Sequence, residues 1–257
     1  MKTTSKFFFK TFLILTLCSF VMSSCSDDDS STVESSVSDE EVQEILKSSL
    51  VDEGGIVVDL ENSAASLNNN TAGRTNEDNS TMAMDLSDVN CNQTVSNSFE
   101  NSNTVGDRSW AVQTNWTWTL NCDAQNNSVS FDAEANGSLE FDGPNLSKDM
   151  LRTHEFFITG IEPTSTEWVY NANHTRDGFI QSNIGNQNSM NTLLTYGSTD
   201  IVVSKATQQI VLGTFEVDFS ATLPNGNIVT RGATVVFNGN QTATITLDNG
   251  VSFDVNG

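Results

Sequence analysis

The chain has 257 residues, with 33 Asp and Glu against 11 Lys and Arg, for a formal net charge of −22. Phosphate binding needs clustered bases, so this balance argues against nucleic acid and other anionic polymers as partners. The length suits one sizeable core with appendages.

The N-terminus has three parts. Lys2, Lys6 and Lys10 give a positive start, residues 12–21 form a short apolar run, and Met22-Ser23-Ser24 is a small polar exit. This is the layout of a secretory signal peptide, residues 1–24, removed from the mature protein. A membrane span needs ~20 apolar residues, which the run does not reach. Cleavage would leave Cys25 as the new N-terminus. The stretch "VMSSC" resembles the lipobox of bacterial lipoproteins, with Met22 standing where Leu, Val or Ile is usual. The resemblance implies acylation of Cys25, and two or more acyl chains hold a protein stably on a bilayer. The acidic "SDDD" directly after it resembles the surface-export tag of Bacteroidota lipoproteins. Acids beside anionic headgroups are electrostatically unfavourable, so a routing signal explains them better than membrane contact does. The expected location is the outer membrane, lipid-anchored, on the cell-surface side.

Residues 25–37 are rich in Ser, Asp and Glu and read as a disordered tether. A short helical segment is expected over 38–67. Ser38 and Glu41 have capping-box spacing, Val42, Ile45, Leu46, Ser49 and Leu50 share a face, and Gly54-Gly55 ends the first helix. Val57, Leu60, Ala64 and Leu67 fit a weaker second helix. Residues 68–89 are polar and aperiodic, a linker.

From about residue 90 the period becomes two, and residues 90–257 read as an antiparallel β domain. In "SWAVQTNWTWTLNC", Trp110, Val112, Trp116, Trp118, Leu120 and Cys122 share one face, while Gln113, Asn115, Thr117 and Asn121 share the other. Further strands are expected over 128–134, 137–142, 151–160, 167–175, 193–204, 208–223, 228–238, 242–247 and 251–255. The turns "PNGN", "NGN" and "DNG" are hairpin signals. Short turns and long strands predict an all-β, up-and-down meander forming a strongly curved sheet or a barrel, with a two-sheet sandwich as the alternative.

With Cys25 acylated and Cys18 lost with the signal peptide, Cys91 and Cys122 remain and are expected to form a disulfide. No catalytic or metal site is expected, and no cofactor. "HEFF" at His154-Glu155 lacks the second histidine of a zincin, and strand alternation sends its two side chains to opposite faces. His174 in "NANHTRDG" has no partner at a defined spacing. Glu216 and Asp218 share a face that alternation explains as solvated. Trp110, Trp116 and Trp118 are candidate ligand-lining residues if the meander closes into a roomy barrel, and core residues otherwise. The expected function is a non-enzymatic, surface-displayed domain for binding or structural support. A carrier of a small apolar ligand and an envelope-polymer hydrolase are the alternatives.

Overall fold

The computed structural model describes residues 36–67 and 89–256. The signal peptide, Cys25, nearly all of the tether and nearly all of the linker lie outside these residues.

Two helices come first, α1 (Asp39–Val51) and α2 (Ile56–Leu67). Ser38 caps α1 as its spacing predicts: its hydroxyl accepts from the Glu41 amide at 3.2 Å, and the Glu41 carboxylate accepts from the Ser38 amide at 2.9 Å. Val42, Ile45, Leu46, Leu50, Ile56, Leu60 and Ala64 are buried and form the apolar faces of the pair. Val37, expected in the tether, is also buried.

Ten strands follow: β1 (Thr94–Val105), β2 (Arg108–Cys122), β3 (Ser128–Asp142), β4 (Leu146–Thr159), β5 (Glu167–Ser182), β6 (Ser189–Ser204), β7 (Ile210–Thr222), β8 (Ile228–Gly239), β9 (Thr242–Leu247) and β10 (Ser252–Asn256). They form one sheet in sequence order, every neighbouring pair antiparallel. The meander is therefore as expected, but the barrel and the sandwich are both corrected. There is a single sheet, and β1 and β10 remain its two edges. Two helices share the core with the inward face of the sheet. α2 borders β1 and β2 on one side, and the helix pair borders β7 to β10 on the other. A helix with its side chains is about 10–12 Å wide.

Alternation is clearest on β4, where Leu146, Lys148, Met150, Arg152, His154, Phe156 and Ile158 all turn inward. A Cβ on Gly137 would lie 1.9 Å from the Gln113 carbonyl oxygen, so only glycine permits this approach of β3 to β2. The segments expected as two strands, 128–134 and 137–142, are in fact one strand running through that glycine.

Inside, large and small side chains alternate across the sheet. Trp116 faces Ala135, which faces His154; Trp118 faces Ala133, which faces Phe156. The alanines let rings on β2 and β4 meet over β3. Trp116 stacks on Trp118 at 5.4 Å, on Phe156 at 5.6 Å and on His154 at 6.0 Å. The Cys91–Cys122 disulfide forms, with a Cα–Cα distance of 5.5 Å. It ties the turn before β1 to the end of β2; Cys91 is not itself on the strand.

Candidate functional site: a buried polar layer beneath the helices

Of the bases in the β domain, Arg108, Lys148, Arg152, Arg176, Lys205 and Arg231, three are buried in the interior: Lys148, Arg152 and Arg176. Register brings them together. Arg152 on β4 lies directly opposite Arg176 on β5, and His154 lies directly opposite His174. The next position along the histidine row is Tyr196 on β6. These side chains share the inward face because strand neighbours two apart point the same way.

The roof of the layer is the α1–α2 turn. The Gly54 carbonyl accepts from Arg152 Nη1 at 3.1 Å and from Arg176 Nη2 at 2.6 Å. Gly54 has φ +69°, and a Cβ there would come within 3.3 Å of Arg152 Nη1. Asp59 of α2 supplies the carboxylate: its Oδ2 is 3.1 Å from Arg152 Nη1, 3.8 Å from Arg176 Nη2 and 3.4 Å from His154 Nε2. Arg152 Nη2 donates to Thr114 Oγ1 of β2 at 2.5 Å. Lys148 completes the attachment, donating to the Ser48 carbonyl at 3.1 Å and to its hydroxyl at 2.6 Å. Every one of these bonds, Thr114 apart, joins sheet to helices.

His154 and His174 meet through their Nδ1 atoms at 2.5 Å. One hydrogen bond needs one proton between two nitrogens, so one ring donates and the other accepts. We assign His174 as the Nδ1–H donor. His154 then carries its proton on Nε2, pointing at the Asp59 carboxylate rather than opposing it with a lone pair. Burial holds both rings well below the usual histidine range. Arg152 and then Arg176 add to this at His154, and His154 is the next cause at His174. Burial, reinforced by Arg176, brings Lys148 down to about 7, against the opposing pull of Asp52 and Glu44. Arg176 is pushed down to about 10 by burial and then by Arg152, and stays cationic at neutral pH. The Tyr196 phenol is pushed up to about 12, chiefly by burial, and so stays protonated.

A cleft of about 220 Å³ reaches the layer from outside, between α2 and the β1–β2 edge. Its walls include Glu53, Gly54, Asp59, Phe99 and Asn101. Through it Asp59 keeps a side-chain exposure of 10 %, whereas Arg152, Arg176 and His154 have none.

The tryptophans named from the sequence separate. Trp116 and Trp118 are 1 % exposed and belong to the packed core. Trp110 is half-buried, on the wall of an open surface groove of about 720 Å³ that also includes Glu140, Asp149 and Phe179. The gap between the helices and β7–β10, bounded by Leu50, Val57, Ile210 and Phe237, is about 20 Å³.

His154 and Glu155 do point to opposite faces, as alternation requires. Each histidine nonetheless has the other as a partner, which no spacing along the chain disclosed. The available signal was parity: Lys148, Arg152 and His154 alternate in step with the apolar Met150, Phe156 and Ile158. Among the described residues no group of three or more His, Cys, Asp or Glu is placed to hold a metal ion, and no helix is long and apolar enough to cross a membrane. No family model, curated protein or solved structure matches this chain.

Proposed function

We propose that the protein is a lipid-anchored lipoprotein of the outer membrane, displayed on the cell surface, with a non-catalytic β domain that binds or structurally supports a partner outside the cell. The observation that carries this reading is the lipobox-like stretch ending at Cys25, and the fastening of the start of the described chain to the β5–β6 loop supports it. The Ser36 carbonyl accepts from the Asn186 and Asn188 side chains at 2.6 and 2.9 Å, and Glu41 accepts from the Asn188 amide at 2.9 Å. The helices that follow are clamped by Lys148, Arg152 and Arg176. A pull on the residues that lead from Cys25 is thereby transmitted to the core instead of unravelling an end. The titratable layer is committed to holding the helices, which favours a structural role over a catalytic one. The helices and aromatic core occupy the inward face of the sheet, which favours binding on outer surfaces over carriage of an apolar ligand inside.

Metabolic labelling with an alkyne fatty acid tests the anchor. Label should enter the wild-type protein and be absent from Cys25→Ala. Protease shaving of intact cells tests the display: the β domain should be cleaved or lost without permeabilisation. An unlabelled wild-type protein released into the medium would remove the reading.

A further inference from the structure

The charges within the buried layer do not balance. Arg152 and Arg176 are directly opposed on neighbouring strands with no side-chain exposure. Among the described residues Asp59 is the carboxylate that faces them. Lys148, further along β4, has Asp52 and Glu44 as its own opposite charges. The remaining neighbours, His154, His174, Tyr196 and Thr114, are neutral groups. Two guanidinium cations thus share one carboxylate in an environment where opposed like charges repel strongly.

The hydrogen bonds tell the same story independently. Arg152 uses Nη1 and Nη2, but its Nε finds no acceptor among the described residues. Arg176 uses Nη2, leaving both Nε and Nη1 without one. These are charged donors, and buried charged donors need an acceptor. A water molecule would accept one hydrogen bond or two, but it would leave the surplus positive charge in place.

We infer that the layer is completed by a small monovalent anion of halide size, bound against the free donors of Arg176 beside Arg152 and enclosed under the α1–α2 turn. The anion is a structural ligand. It neutralises the guanidinium that Asp59 cannot, and so helps to keep the helices seated on the sheet. Its chemistry follows from the site: the free groups of the two arginines are donors, and the charge to be offset is single. The cleft that leads to the layer carries Glu53 and Asp59 at its wall, which disfavours entry by a bulky polyanion. This inference does not depend on the lipid anchor or on display at the surface.

Crystals of the protein soaked in sodium bromide, with data collected at the bromine absorption edge, test it directly. An anomalous peak in contact with Arg176 is expected, and its absence overturns the inference. In solution the probe is chloride against gluconate at equal ionic strength. Above half-saturation, each tenfold rise in chloride should raise the folding equilibrium constant about tenfold, with no such rise in gluconate. Equal stability in the two salts overturns the inference, and a bromide peak without a chloride effect marks an adventitious ion only. Arg176→Gln supplies the charge control. It leaves Arg152 and Asp59 balanced, so its stability should no longer depend on chloride, and persistent dependence refutes the assignment. If that variant does not fold, the bromide map of the wild-type protein decides.

Discussion

His154 and His174 share one proton between two Nδ1 atoms, and both lie against a pair of arginines. A second proton on either ring would add charge to a layer already rich in it. The folded protein therefore holds both rings neutral, while the unfolded chain binds protons at the ordinary histidine value near 6.5. Below that value the unfolded state carries more protons than the folded one, so stability is complete above it and is lost as pH falls. Urea titrations between pH 8 and pH 5 should show the unfolding free energy dropping with a slope that approaches ~1.4 kcal/mol per pH unit for each histidine. His174→Gln should remove one proton's share of that slope. A flat wild-type profile would show that the rings titrate alike in both states. Lys148 acts at the other end of the scale, since its amine falls from 10.5 to about 7 on folding. Between those values the unfolded chain again holds the extra proton, and stability should climb further as pH rises. None of these partners was legible from residue spacing. His174 stands 20 positions from His154, and only the β4–β5 register makes them neighbours.

At the level of elements, local chemistry predicted most of what formed. The Ser38–Glu41 capping box, the alternation of β2 and the hairpin turns all arise from neighbours in sequence, and each stands where its residues place it. Residues 242–247 were expected as a strand and form β9 (Thr242–Leu247). Strand boundaries differ from expectation at particular residues. β4 begins at Leu146 and not at 151, and the added residues include Lys148, which donates to Ser48. β3 runs through Gly137 because that glycine allows strand contact there instead of breaking it. The α1–α2 turn is where an element is most sensitive. Gly54 combines φ +69° with contacts of 3.1 to 3.3 Å from a Cβ to Leu139, Val112 and Arg152. Gly54→Ala should therefore cost about 1–3 kcal/mol, from backbone strain and displacement of the arginine clamp. Chemical denaturation measures the loss, and an unchanged midpoint would mean that the turn yields without disturbing the layer.

The described strands form one open up-and-down sheet with two helices packed on its inward face, and β1 is one of its two free edges. The outward half of that strand contributes little to the core, and Val105 at its tip is 60 % exposed. The Cys91–Cys122 bridge pins the opposite end of β1 to β2. In the chain-entropy account, closing this loop stabilises the fold by roughly 3–4 kcal/mol. The Cys91→Ser, Cys122→Ser double variant should lose an amount of that order, with amide exchange accelerating first along β1. Uniform exchange across the sheet would show that the bridge acts only on the unfolded chain.

The sequence by itself determined most of the secondary structure and the meander, because period-two patterning and turn residues are properties of near neighbours, and it gave the disulfide through the even remainder of cysteines. It also carried the lipobox-like start on which the proposed placement rests. Closure could be decided only in three dimensions, since nothing in the strands states that two helices will share the core with the sheet. The buried layer had the same dependence on tertiary structure. Arg152, Arg176, Asp59 and the histidine pair become a unit only when register aligns β4 with β5 and the helix turn descends on both, and the energy that makes them meet is a sum over distant contacts.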